Sequence, residues 1–183
     1  MKKIISVIPQ LKRSKHFAGR KSWVDYFMAQ AFLAAEQSTC LRRKVGAVAV
    51  KEKRIIATGF NGQVSGTVHC KKCLREELGI PSGQRQEICR ALHAEQNVLI
   101  QCAKYGPPIK GAIIYQTTKP CITCFKMLLN AGVESIIYEH DYPDEFTNIE
   151  MSTCGWMKIK REDNFFCLQP RPEFKFTVMC DAQ

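Results

Sequence analysis

Two short clusters of metal-ligating residues constrain this chain more than anything else in it: His93-Ala94-Glu95 and, one predicted strand later, Pro120-Cys121-Ile122-Thr123-Cys124. Each opens a predicted helix. The first runs from about His93 to Lys104 and is ended by Tyr105–Pro108; a strand follows at Ala112–Tyr115; the second begins near Pro120 and stops at Gly132. Pro120 suits a position just inside a helix start, which puts Cys121 and Cys124 on one face at the positive end of the helix dipole. That field favours the thiolates that zinc takes as ligands. With the His93 imidazole they supply three ligands, one short of a tetrahedron, the arrangement of a catalytic zinc that keeps its fourth position for water. A lone His-x-Glu is common at helix starts, and a lone Cys-x-x-Cys serves as readily in a structural zinc site or a redox pair. The combination, with a strand between, points to catalysis.

The rest of the pattern supplies the frame. Ser22 followed by Asp25 reads as a helix start, and Trp23, Phe27, Ala31 and Ala34 repeat at helical spacing to about Gln37. Val45–Val50 and Arg54–Phe60 read as a hairpin around Lys51–Lys53, and Val133–Tyr138 as a further strand. Residues 61–92 form a polar insertion longer than most connections in compact domains, so something has to pin it. Beyond Asp144, Phe165–Leu168 and Phe174–Met179 look extended, separated by Pro170 and Pro172. Strands alternating with helices after an opening hairpin predict a three-layer α/β/α domain with a mixed sheet over 22–145, preceded by a basic extension, 1–21, and followed by an extension, 146–183, packed on the domain. Cys154, Cys167 and Cys180 in that last segment are too widely spaced for a metal site and read as small buried hydrophobes.

The net charge of +10 at first suggests nucleic acid, but seven Lys and Arg and no acid fall within residues 1–21, leaving +3 for residues 22–183. The near-neutral body argues against a polymeric partner. The basic segment reads as a disordered extension, with an RNA-touching or targeting arm as the alternative. No segment approaches a membrane span, and Ile4–Ile8 is too short for a secretory signal. Ten cysteines without an export signal imply reduced thiols and a cytoplasmic chain.

The pattern H-x-E…P-C-x-x-C is the signature of the zinc deaminases. Longer runs are more specific: Ser38-Thr39-Cys40-Leu41-Arg42-Arg43-Lys44-Val45-Gly46-Ala47, Gly59-Phe60-Asn61-Gly62, the segment Cys73 to Gly83, His93-Ala94-Glu95-Gln96-Asn97 and Tyr142-Pro143-Asp144-Glu145. On these, residues 22–145 resemble the cytidine/deoxycytidylate deaminase superfamily, and within it the deoxycytidylate branch with its bacterial competence-operon relatives. The resemblance implies the cytidine deaminase fold with a five-stranded mixed sheet, and zinc-dependent hydrolysis of dCMP to dUMP and ammonia. Glu95 would be the acid/base, taking a proton from the attacking water and delivering it to the base. Asn61 falls where the superfamily orients the substrate, although it reads equally as a turn residue before Gly62. Tyr142 would wall the base ring, against the alternative of an exposed loop tyrosine. Lys44, Arg42, Arg43 and Asn97 are candidates for the phosphate. Also implied are a homo-oligomer and regulation by dCTP and dTTP, with Mg2+ accompanying the nucleotide effector. Phe60 stands where that regulatory segment has a tyrosine, removing a hydroxyl.

A second, structural zinc is expected from Cys40, Cys70, Cys73 and Cys89, with His69 able to replace one thiol; relatives use cysteines equivalent to Cys40 and Cys70. It would order residues 61–92 over the cleft, since metal binding at such a site is folding free energy. Two other functions compete: a deaminase acting on a base in tRNA or single-stranded DNA, and a zinc-stabilised binding protein without catalysis. Retention of Glu95 argues against the second.

Overall fold

The computed structural model describes residues 20–172. The basic segment up to residue 19, the extended reading of Phe174–Met179, and Cys180 lie outside the described residues. Helix α1, Trp23–Ala35, starts as its sequence predicts: Ser22 is the cap, and its hydroxyl accepts from the Asp25 amide at 3.0 Å. Strands β1, Gly46–Lys51, and β2, Arg54–Phe60, form the hairpin. Its two-residue tip holds Glu52 and Lys53 at φ of 51° and 60°, the geometry whose twist suits a tight hairpin.

The 61–92 insertion is pinned by backbone pairing. Its ends zip into a ribbon of β3, Gly62–Gln63, and β4, Ala91–Leu92. Between them lie a single-turn helix α2, Leu74–Glu77, and a 3-10 turn at Gln86–Ile88. Helix α3, Ala94–Tyr105, ends at Gly106 in the left-handed conformation. There follow β5, Ile113–Thr118; α4, Ile122–Asn130; β6, Ser135–His140; α5, Glu145–Thr153; β7, Trp156–Lys160; and β8, Phe166–Pro170.

The sheet is mixed and has six strands in the order β2-β1-β5-β6-β8-β7. Only β5 and β6 pair in parallel; α4 is their crossover. The expected count of five is exceeded because the C-terminal hairpin inserts β8 beside β6 and leaves β7 on the edge. Alternation along each strand divides the core between two faces. Ala47, Ala49, Ile114, Ile136, Tyr138 and Leu168 pack toward α3, α4 and α5. Val48, Val50, Tyr115, Ile137 and Cys167 pack toward Phe27, Met28 and Ala31 of α1. The result is the expected three-layer α/β/α arrangement. Trp156 of the added hairpin stands edge-on to Phe125 of α4 with ring centroids 5.5 Å apart, so this part of the C-terminal segment is built into the core. Cys167 is buried there and Cys154 half-buried. Among the described residues no helix is long and apolar enough to cross a membrane.

Candidate active site

Strand directions gather the sequence clusters at one end of the sheet. Because β1 is antiparallel to both β2 and β5, and β5 is parallel to β6, the C-terminal ends of β2, β5 and β6 share an edge with the start of β1. Asn61, residues 119–121 and residues 141–144 leave directly from those ends, at the edge where open α/β sheets hold ligands. Gly59 lets β2 approach the start of α3: a Cβ there would lie 2.3 Å from the Ala94 carbonyl oxygen.

His93 is the N-cap of α3 and its backbone amide donates to Gln96 Oε1 at 2.8 Å. Cys121 is the N-cap of α4 and Cys124 lies in its first turn. Pro120 therefore precedes the cap instead of sitting just inside the helix, because the Cys121 backbone is extended at φ −74°, ψ 166°. His93 Nδ1 lies 3.4 Å from each sulfur. A tetrahedral zinc with Zn–N of about 2.0 Å and Zn–S of about 2.3 Å puts nitrogen and sulfur about 3.5 Å apart, so the donor set fits zinc in type and spacing. The three ligand atoms lie within 4.8 Å of one another, and among the described residues no other group of three or more His, Cys, Asp or Glu does so.

The electrostatics of the cluster are those of a metal site. Cys121 is pulled down to about 5, chiefly by the hydrogen bond from Cys124 and against its own burial, with His93 adding to the fall. Cys124 is driven up by the Cys121 sulfur and by burial. The two sulfurs are thus pushed in opposite directions by their mutual contact, and a divalent cation favours the deprotonated form of both. Glu95, in the first turn of α3, is 3% exposed. Burial pushes its carboxyl up to about 7, with His93 opposing and the Cys121 charge adding to the rise. A carboxyl that is half-ionised near neutrality takes and returns a proton at little cost. Glu95, His93 and Cys121 line one pocket.

Asn61 and Tyr142 line the same pocket, and both also build it. Asn61 Oδ1 accepts from Ser38 Oγ at 2.6 Å and from the Val45 amide at 2.8 Å, while its Nδ2 donates to the Arg43 carbonyl at 2.7 Å. That leaves one amide hydrogen for a ligand. Tyr142 Oη accepts from the Gly83 amide at 3.1 Å, and the Arg43 guanidinium lies over its ring, 5.3 Å from the centroid. Arg42 and Arg43 line the pocket too.

Lys44 and Asn97 are not among its lining residues. Lys44 is exposed and reaches Glu36 at 3.4 Å; Asn97 gives its side-chain amide to the Phe60 carbonyl at 2.7 Å. Sequence reasoning passed over Arg75, which is 7% exposed, lines the pocket and donates to the Gln84 carbonyl. Within the charged run Cys73 to Gly83 no sequence signal separates a buried arginine from a solvated one. Lys119 was passed over as well; it lines the pocket and donates to Asn148 Oδ1 at 2.6 Å.

Cys40, Cys70, Cys73 and Cys89 all line a neighbouring pocket. Their sulfurs do not meet the 4.8 Å mutual spacing of the His93 cluster. His69 instead lies with Nδ1 3.1 Å from Gln63 Oε1.

The family model described as the cytidine and deoxycytidylate deaminase zinc-binding region matches residues 21–140. ComE operon protein 2 of Bacillus subtilis is 45% identical over 125 residues, which span 67% of this chain and 62% of that protein, less than two thirds of its length. The deoxycytidylate deaminase of Mycobacterium phage D29 is 37% identical over 124 residues, covering 65% of this chain and 95% of the phage protein. Among solved structures, the dCMP deaminase of cyanophage S-TIM5, in complex with dCMP and dUMP, aligns with a TM-score of 0.59 at 34% identity over 74% of this chain and 93% of that one. The matched region runs through both ligand clusters and Glu95, and by that match the chain belongs to the cytidine and deoxycytidylate deaminase family.

Proposed function

We propose that this chain hydrolyses dCMP to dUMP with release of ammonia. The observation that carries the reading is Glu95: a buried carboxyl in the pocket, two residues along from an imidazole that stands at zinc-ligand distance from two sulfurs. A binding protein has no use for such a group. The relatives named deoxycytidylate deaminase and the neighbour solved with dCMP and dUMP support the choice of nucleotide.

Zinc held by His93, Cys121 and Cys124 supplies Lewis acidity to the attacking water. Glu95 takes the proton of that water and delivers it to the ring nitrogen beside the amine-bearing carbon. The hydroxide left adds to that carbon; Glu95 then takes the proton of the new hydroxyl and passes it to the amine, so that the C–N bond breaks with ammonia leaving as the carbonyl forms. Asn61 offers its remaining amide hydrogen to the sugar or base edge, and Tyr142 walls the ring. We assign the phosphate to the arginine side of the pocket, Arg42, Arg43 and Arg75, supported by their lining it while Lys44 and Asn97 are not among its lining residues.

Cys40, Cys70, Cys73 and Cys89 are assigned to a second, structural zinc, supported by their convergence on one pocket; a metal would draw the four sulfurs together. A homo-oligomer, dCTP and dTTP as effectors with Mg2+, and a cytoplasmic setting complete the proposal. The test is ammonia release across dCMP, dCTP, deoxycytidine and cytosine-containing single-stranded DNA, with Glu95→Gln as control. dCMP is expected to be the best substrate and the variant to lose about 10²- to 10⁴-fold. Release from dCMP by Glu95→Gln at the wild-type rate refutes the assigned proton shuttle.

A further inference from the structure

The segment that presents the two sulfurs is held from outside by one carboxylate. Asp144, in the loop after β6, is 6% exposed. Its Oδ2 accepts from the backbone amide of Ile122, the first residue of α4, at 2.8 Å. Its Oδ1 accepts from the Thr147 amide at 3.2 Å and so caps α5. One side chain therefore satisfies an orphan donor at the start of each of two helices. Thr147, fully buried, adds a contact from its hydroxyl to the Pro120 carbonyl at 3.4 Å, and Lys119 reaches Asn148 from the same segment. Residues 119–122, with the ligand Cys121 among them, are thus clamped against the start of α5.

We propose that Asp144 is a positioning residue for the metal centre, fixing through the Ile122 amide where α4 presents Cys121 and Cys124. Cys121 is the cap: its carbonyl accepts the first helical bond, from the Phe125 amide at 2.8 Å, but its backbone is extended and non-helical, so where the segment enters α4 must be set by what flanks it. The carboxylate touches neither sulfur and acts through the peptide that follows the first one. Groups that hold metal ligands in place in this way change metal affinity by about 10- to 100-fold when removed. The same carboxylate joins the metal to the pocket wall: Asp144 follows Tyr142 and Pro143, and Gly83 is pressed so closely on the Pro143 carbonyl oxygen that a Cβ would lie 2.0 Å from it. This inference rests on the zinc reading of the His93 cluster and not on the identity of the substrate.

The test measures zinc release from the holoprotein to an excess of a chromogenic chelator, without substrate, for wild type, Asp144→Ala and Asp144→Asn. Asp144→Ala is expected to release zinc about 10- to 100-fold faster. Asp144→Asn is expected to fall between, because its amide oxygen still accepts from one helix start while its nitrogen cannot accept from the other. Ser22→Ala serves as the control: it removes a helix cap on the opposite face of the sheet, so it lowers stability without touching the metal segment. Release by Asp144→Ala within twofold of wild type overturns the proposal. So does equal acceleration by Ser22→Ala at a matched loss of melting temperature, which would make release a mere reflection of global stability. Should Asp144→Ala fail to fold, the ordering of wild type, Asp144→Asn and Ser22→Ala decides the matter. Loss of ammonia release with unchanged zinc kinetics would count against Asp144 alone, whereas an inactive wild type with the expected zinc kinetics would refute only the deaminase reading.

Discussion

Replacing Asn61 by alanine should separate the architectural from the chemical share of its side chain. The amide makes three hydrogen bonds within the protein: two accepted by Oδ1, from Ser38 Oγ and the Val45 amide, and one donated to the Arg43 carbonyl. Asn61 is 7% exposed, so water replaces these partners poorly. At about 1 kcal/mol net per bond the loss is about 3 kcal/mol. For a chain of this size that corresponds to a fall in melting temperature of about 6 to 12 °C. The damage is local, because all three bonds hold the segment 38–45 that carries Arg42 and Arg43 into the pocket. Urea unfolding followed by tryptophan fluorescence measures the first quantity, and kcat/KM for dCMP the second, with both expected to drop. Asn61→Asp sharpens the comparison: it keeps the acceptor for Val45 but sets a carboxylate oxygen against the Arg43 carbonyl, so it should not rescue stability. A variant whose unfolding free energy stays within about 0.5 kcal/mol of wild type would show that the three bonds carry no net weight, and the architectural role would fall.

Further outcomes follow from other parts of the site and frame. Gly83→Ala combines a left-handed φ of 88° with a Cβ placed 2.0 Å from the Pro143 carbonyl oxygen, so the loop must move away from Tyr142; KM for dCMP should rise several-fold with little change in zinc content, and an unaltered KM would contradict the wall assignment. Chelation of the holoprotein should abolish ammonia release and lower the melting temperature, with zinc restoring both, because His93, Cys121 and Cys124 are brought together at zinc-ligand spacing and binding there adds to folding free energy. Asp141 titrates below the usual carboxylate range: burial opposes the shift, but Lys158 at 2.8 Å outweighs it. A depressed carboxyl contributes stability that is present above its ordinary value, near pH 4, and is lost as pH falls through the folded value. Asp141→Asn should therefore flatten a small part of the acid limb of the stability profile, small because the pair is exposed to solvent.

What the residues disclosed and what they hid divides along physical lines. The alternation of Val, Ile and Ala in β1 and β2, the cap at Ser22 and the glycine after α3 are local signals, and the corresponding elements appear within a few residues of their predicted bounds. The ligand triad was legible because its chemistry restricts residue type and spacing together. β7 was missed: Trp-Met-Lys-Ile-Lys has two lysines, and its place on the edge depends on pairing with β8. The paired strand, β8, was read, though Pro170 closes it inside the sheet instead of lying beyond it. Lys44 and Asn97 offer only charge and polarity in the sequence, and which way a polar side chain points is decided by partners elsewhere in the chain, Glu36 and the Phe60 carbonyl here. The burial of Arg75 depends in the same way on the carbonyls of a folded loop.

The tip of the first hairpin stands at the far rim of the sheet, remote from Gly46 and Phe60, where the same two strands meet the pocket. Two ordinary residues, Glu52 and Lys53, are held there in a backbone region costly for side chains of their kind. Nature has left slack at this corner. Rebuilding it as Asn-Gly should recover about 1 to 2 kcal/mol, and a reporter spliced into it would ride on the protein without hearing from the pocket at the opposite pole.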